Sequence, residues 1–326
     1  MNPARIKTSL RSLIPLGQPV FLWGAPGVGK SQVVAQVAEE LGRELIDIRA
    51  VLLDPVDLRG LPSVDGPVAR WNPPAFLPRE GTGVLFLDEL NAAPPLVQAA
   101  CYQLVLDRRV GEYELPEGWA VVAAGNRETD RAVTHRMPSA LANRFVHLDF
   151  SVDVNDWLAW AEQAGLGREV LDFIRFRPNL LHAFDPRQNE KAFPSPRSWE
   201  FAARILAVKP DPEVELGLLK GTVGPGAAVE FAGFLRMFRE LPDPDAVIRK
   251  PASAAIPEEP ATLYALCEAL ARKAGKDTAE NIVEYALRLP SEFGVLLVKD
   301  AVKQHREVVD TPSFARWAEA NSAVLL

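Results

Sequence analysis

Cysteine and histidine are scarce in this chain of 326 residues, two and four in number, and neither set makes a chemical unit. Cys101 and Cys267 lie on helix-like stretches far apart in sequence, which predicts buried free thiols rather than a disulfide. His135, His147, His182 and His305 stand at no zinc-binding spacing with them or with one another. No apolar run approaches the ~20 residues needed to cross a bilayer, and the N-terminus has no apolar core of a secretory signal. A cytoplasmic protein without membrane insertion is the expectation. Basic excess is missing as well: a net charge of −7 and a pI near 5.3 give no general positive field for a polyanion. That counts against tight nonspecific nucleic-acid binding and leaves room for a few local basic residues. No internal repeat at a solenoid period is found, and no low-complexity tract beyond one Pro-rich stretch.

What the chain does have is a hydrophobic content of 48%, enough to bury a sizeable core in two or three domains, and one highly specific string. Gly24-Ala25-Pro26-Gly27-Val28-Gly29-Lys30-Ser31 follows the apolar run Val20-Phe21-Leu22-Trp23 and precedes a helix-forming run from Gln32 to Leu41. Strand, glycine loop and helix in that order are the context a nucleotide phosphate needs. The glycines let the backbone curl with its N–H groups inward, where Cβ atoms would crowd the phosphates. The helix starting near Lys30 adds its positive dipole end. Lys30 can reach the β- and γ-phosphates as a compact cation, and the Ser31 hydroxyl is placed to ligate Mg²⁺. The bland alternative is a chance glycine turn before a helix, and a second motif argues against it.

Val84-Leu85-Phe86-Leu87 reads as a strand buried on both faces and ends in Asp88-Glu89. Adjacent carboxylates there are costly unless a cation or a reaction uses them. Asp88 is expected to hold the Mg²⁺ shell through water and Glu89 to polarise an attacking water, a division that favours hydrolysis over binding alone. Ala120 to Ala124 is a third such run and leads through Gly125 into Asn126, whose amide can hydrogen-bond a γ-phosphate or the lytic water. Leu141-Ala142-Asn143-Arg144-Phe145 precedes the strand-like His147-Leu148-Asp149-Phe150. Arg144 suits charge stabilisation on a phosphoryl group in transit, one bound by a neighbouring subunit. Ser195-Pro196-Arg197-Ser198-Trp199 puts Arg197 in the first turn of a helix, after a proline that suits such a start. A cation set against the helix dipole points to an anion partner.

In this order and spacing the chain resembles the AAA+ ATPases: Walker A at GAPGVGKS, Walker B at VLFLDE, sensor 1 at Asn126, the arginine finger at Arg144 and sensor 2 at Arg197. The match runs from about Gln18 to Leu241. Within that superfamily the chain is similar to the MoxR-like group. Leu53 to Gly60 and the Gly/Pro-rich excursion to Leu77 match its insert in the second helix, about 53–78. Arg109 to Leu115 match its insert ahead of sensor 1, about 108–117, and Asn91-Ala92-Ala93-Pro94-Pro95 is typical of it. Trp71 reads either as a partner-contacting aromatic at a loop tip or as a packing anchor. The charged stretch from Arg127 to Arg136 departs from the group's pattern. Arg136 therefore competes for the finger role; Arg144 is preferred because it sits immediately before the last strand.

The resemblance implies ATP and Mg²⁺ bound between subunits of a homo-hexameric ring. Glu89 activates water, Lys30 and Arg197 hold phosphate, Asn126 orients the water and Arg144 acts in trans. It also implies a chaperone-like role on a client protein, in that family often one with a von Willebrand factor A domain. ATP over GTP rests on the resemblance alone. A nucleic-acid-stimulated motor and a nucleotide-gated assembly scaffold are the alternatives from other classes.

Val20 to Trp23, Leu45 to Arg49, Val84 to Leu87, Ala120 to Ala124 and His147 to Phe150 alternate with helical stretches. They predict an α/β P-loop core over residues 1–151, a parallel five-stranded sheet between helices with the ligand at its C-terminal edge. From Val152 no strand is read. Asp156 to Ala164, Arg168 to Phe176, Pro196 to Val208, Pro212 to Val223 and Ala227 to Glu240 read as a helical lid over 152–240. Leu241 to Pro260, rich in proline and acids, reads as a linker or a surface crossing. Residues 261–326 read as a C-terminal helical region: Thr262 to Arg272, Thr278 to Leu289 and a long stretch from Glu292 to Ala320.

Overall fold

A computed structural model describes residues 1–130, 135, 137–188 and 190–321. The first part of the chain runs α1 (Pro3–Leu13), β1 (Val20–Trp23), α2 (Lys30–Glu40), β2 (Glu44–Arg49), α3 (Pro55–Arg59), β3 (Leu61–Asp65), β4 (Val68–Asn72) and β5 (Gly83–Asp88). It continues through α4 (Pro95–Asp107), β6 (Arg109–Val110), β7 (Tyr113–Glu114), β8 (Trp119–Gly125), α5 (Ser139–Ala142) and β9 (Val146–Asp149). Five of these strands form one parallel sheet in the order β2-β5-β8-β1-β9. The expected α/β architecture is therefore present, with each strand within two residues of its reading.

Alternation along the strands builds the layers. Phe21, Leu85, Leu87, Val121 and Ala123 point to one face and pack with Val97, Cys101 and Leu104 of α4. Val20, Leu22, Val84, Phe86, Val122 and Ala124 point to the other and pack with α1 and α2 through Ile6, Leu10, Val34 and Val37. A strand with period-two side chains and no polar face needs cover on both sides. That is why the apolar runs of β5 and β8 are continuous. The sequence reading passed over α1, although Ile6, Leu10 and Ile14 recur at the four-residue spacing of a buried helical stripe. The two expected inserts are both antiparallel hairpins, β3–β4 and β6–β7.

Beyond β9 the described residues are helical: α6 (Val154–Gln163), α7 (Arg168–Phe176), α8 (Pro196–Ala207), α9 (Pro212–Val223) and α10 (Pro225–Glu240), then α11 (Pro244–Arg249), α12 (Pro260–Arg272), α13 (Ala279–Ala286), α14 (Ser291–Gln304) and α15 (Pro312–Ala320). The chain divides into two compact units, Met1–Val229 and Glu230–Leu326. The second has its own core, in which Leu266, Ile282, Tyr285, Leu297 and Trp317 are buried. Two expectations give way here. Residues 241–260, read as a linker, contain α11, whose Val247 and Ile248 join that core; Asp243 caps the helix by accepting from the Asp245 N–H. The long stretch from Glu292 to Ala320 is two helices, because His305 turns extended and Thr311, with Pro312 behind it, starts a new N-terminus. Cys101 and Cys267 are buried free thiols, and burial pushes each up to about 12.

Candidate functional site

All five strands of the sheet run the same way, so their C-terminal ends share one edge. After β1 the chain goes out to the far edge at β2, returns through β5 and β8, and places β9 on the opposite side of β1. Open parallel sheets hold ligands at such a reversal, outside the strand ends. Residues 24–31 follow β1, Asp88 ends β5 and Asn126 follows β8, and the structure brings the three together.

The Lys30 ammonium donates to the Gly24 carbonyl at 2.7 Å, the Ala25 carbonyl at 3.1 Å and Asn126 Oδ1 at 3.2 Å. Burial pulls its pKa down to about 8 against the pull of Asp88, Asp130 and Glu89, and Arg197 adds to the fall. A desolvated cation facing neutral carbonyls gains strongly from an anion. Next to it, Ser31 Oγ donates to Asp88 Oδ2 at 2.8 Å. A hydroxyl and a carboxylate meeting at one point are the hard oxygen donors that Mg²⁺ takes. The Glu89 N–H donates to Asp88 Oδ1 at 2.9 Å, and Glu89 is left-handed at φ 57°. For a residue with a Cβ that conformation costs of order 1–3 kcal/mol, so strain collects at the carboxylate expected to activate water.

The loop fits an anion through what it omits. Helix α2 is capped by Gly29, φ 99°, which has no side chain to accept the first-turn amides, so they remain open to a ligand. Gly27 is also left-handed, and a Cβ there would lie 2.8 Å from Ser195 Oγ. The start of α8 closes on the loop at that point: the Arg197 N–H donates to the Gly27 carbonyl at 3.3 Å, and Ser195 and Ser198 cap the helix reciprocally. Arg197 is thus set beside Gly27 in the first turn of a helix. Arg144 lies on the turn between α5 and β9. Both arginines are exposed, and neither forms an ion pair among the described residues. No hydrogen bond joins the Arg144 side chain to the Lys30 cluster among the described residues. Arg136 falls outside the described residues.

Two contributors were not found by sequence. Asn91, 2% exposed, donates through Nδ2 to the Asn126 carbonyl at 2.7 Å and accepts from the Asn126 N–H at 3.2 Å. It ties the segment after the carboxylates to the end of β8, where a Cβ on Gly125 would come within 2.2 Å of Asn91 Oδ1. The Asn-Ala-Ala-Pro string drew notice, yet nothing in it announces this bond. The other is His182, in a cavity of about 350 Å³ beside the loop lined also by Ala25, Val28, Arg127, Phe150 and Leu181. Burial holds its pKa below the usual histidine value, with the Pro26 backbone working the other way. Its Nε2 has no hydrogen-bond partner among the described residues. A larger apolar cavity of about 560 Å³, between α1, α2 and α6, touches Val28 and Gly29 of the loop but is lined by none of Lys30, Asp88 and Glu89.

The β3–β4 hairpin shows Leu61, Val64, Val68 and Trp71 to solvent. Trp71 is not at its tip: it pairs with Pro62 near the base, and its N–H donates to Glu112 of the second hairpin at 3.3 Å.

Residues 19–145 match the AAA domain of the dynein-related subfamily. The chain is 31% identical over 176 residues to protein NorQ of Paracoccus denitrificans, covering 48% of this chain and 62% of that one. It is 30% identical over 141 residues to protein MoxR of Methylorubrum extorquens, covering 39% and 38%. To midasin of Giardia intestinalis it is 32% identical over 199 residues, which cover 56% of this chain and 4% of midasin. The chain thus spans less than two thirds of each of these relatives.

Proposed function

We propose that this chain, an AAA+ protein of the MoxR-like group, hydrolyses ATP with Mg²⁺ as a subunit of a homo-hexameric ring that remodels or activates a client protein. One observation carries the reading: residues from three strand ends, Lys30 with Ser31, Asp88 with Glu89, and Asn126, meet at one sheet edge through the Lys30–Asn126 and Ser31–Asp88 bonds. Lys30, the open amides of the loop through Gly24, Ala25, Pro26, Gly27, Val28 and Gly29, and Arg197 hold the phosphates. Ser31 and Asp88 are the residues that hold Mg²⁺, which supplies charge neutralisation on the β- and γ-phosphates. Glu89 takes a proton from the attacking water and Asn126 orients that water. Arg144 works on the nucleotide of the adjacent subunit. The purine lies in the cavity lined by Ala25, Val28 and His182.

The client side of the proposal rests on the likeness to the group and on the exposed apolar side chains of the β3–β4 hairpin, which suit contact with another protein. A client with a von Willebrand factor A domain and a cytoplasmic setting belong to the same proposal. No helix among the described residues is long and apolar enough to cross a membrane.

Steady-state hydrolysis of ATP and GTP with Mg²⁺, paired with particle mass with and without nucleotide, tests the reading in wild type and Glu89→Gln. The expected result is ATP-promoted rings and a turnover that Glu89→Gln lowers by about 10²- to 10⁴-fold while binding persists. Undiminished turnover in Glu89→Gln would remove Glu89 from the reaction. Wild-type binding without turnover or assembly would make the chain a nucleotide-gated switch instead.

A further inference from the structure

The turn that carries Arg144 leads into β9, which pairs in parallel with β1, the strand that carries the phosphate loop, and one imidazole adds a side-chain tie between that turn and β1. Trp23, the last residue of β1, immediately precedes Gly24, whose carbonyl accepts from Lys30. The Trp23 indole N–H donates to His147 Nδ1 at 2.8 Å, and His147 Nε2 meets the Ala142 carbonyl at 2.7 Å. An indole nitrogen can only donate, so Nδ1 is the acceptor and the proton sits on Nε2, which donates to Ala142. The same carbonyl accepts from the Phe145 N–H at 3.2 Å. The two bonds close the turn on both sides of Arg144. Around them Trp23 stacks on the imidazole at 6.0 Å and 24°, while Phe21 and Phe145 meet edge to face at 5.4 Å. His147 itself is exposed. It uses both ring nitrogens within the chain.

We propose that His147 is a positioning residue for the arginine finger: through Trp23 and Ala142 it fixes the Arg144 turn to the phosphate-loop strand of its own subunit, and so sets the turnover of the neighbouring one. The inference rests on Arg144 acting in trans. It concerns no group at the chain's own nucleotide, so a change at His147 leaves that chain's ATP affinity intact and is felt next door. A misplacement of about 1 Å in a catalytic group costs up to ~10²-fold, which bounds the effect.

Mixed rings read this directly. Subunits with Arg144→Ala keep their own site and offer no finger; subunits with Glu89→Gln have no turnover of their own and offer a finger. Co-assembled, the second kind restores hydrolysis in the first. Adding His147→Ala to the Glu89→Gln donor is expected to lower that restoration by roughly 10- to 100-fold, with ATP affinity and ring mass unchanged. His147→Gln, which keeps an acceptor and a donor side by side, recovers most of the loss. Trp23→Phe, which removes only the indole N–H, reproduces part of it. Donors with His147→Ala that restore hydrolysis in full overturn the proposal, and so does a loss matched by weakened ATP binding in the same subunit. If Arg144→Ala added to the donor leaves restoration complete, the finger assignment itself fails, whatever His147 does.

Discussion

Lys30 and Arg144 are both cations expected at a phosphate, and the structure treats them in opposite ways. Lys30 is half-buried, bonded to two carbonyls and to Asn126, and held down to about 8 by desolvation. Arg144 is exposed, with no ion pair among the described residues, and its place is fixed through backbone and through its neighbour His147. A cation that serves a phosphate in its own chain can be preorganised there at the cost of desolvation. One that serves another copy has to stay solvated until that copy arrives. Arginine suits the second task, since its charge survives any environment and its planar fork meets phosphate oxygens in pairs.

The sharpest way to break this comparison is Arg144→Ala. As a finger in trans it should lower turnover by about 10³- to 10⁵-fold. It should leave ATP affinity near normal and unfolding free energy within about 0.5 kcal/mol, as for an exposed side chain without partners. Titrating the variant into wild-type rings and measuring hydrolysis per wild-type subunit checks the direction: depression beyond simple dilution is expected. Additive dilution would return Arg144 to its own chain's chemistry, and a larger loss from Arg136→Ala would move the role there.

The preorganised side has a matching test in Asn91. Asn91→Ala leaves both the N–H and the carbonyl of the half-buried Asn126 without their side-chain partner, and should cost about 1–3 kcal/mol of stability along with turnover. Denaturant unfolding measures the first and hydrolysis the second. A stability unchanged from wild type would mean that Asn126 holds its place without help.

The two sides were also unequally legible in the sequence. The sheet was readable because strands covered on both faces, such as Val84-Leu85-Phe86-Leu87, leave continuous apolar runs, and the loop because phosphate contact constrains residue type at fixed spacing. Asn91 escaped because its role depends on how closely Gly125 approaches it across strands, a distance that no local pattern encodes. His147 and His182 were weighed only as zinc ligands, and neither works through spacing to another histidine. Prolines misled in both directions: in 241–260 they concealed the short helix α11, whereas Pro312 broke a stretch that looked continuous.

The smallest expected effect follows from protonation. Burial holds the Lys30 ammonium down to about 8, and a bound phosphate favours its charged form. Below about pH 8 the ammonium is already present and ATP affinity is flat with respect to this group. Above it, binding must first add a proton, so affinity falls by up to about tenfold per pH unit, 1.36 kcal/mol for each unit of pKa difference. The fall ends where Lys30 with ATP bound would itself lose its proton. Calorimetric titration at about pH 9 in two buffers of different ionisation heat should therefore register proton uptake by wild type. Lys30→Met, which lacks the group, should take up none and bind far more weakly at every pH. An ATP affinity in wild type that is flat across this range would mean that Lys30 keeps its charge before ATP binds, and the contrast with Arg144 would then be one of burial without consequence for binding.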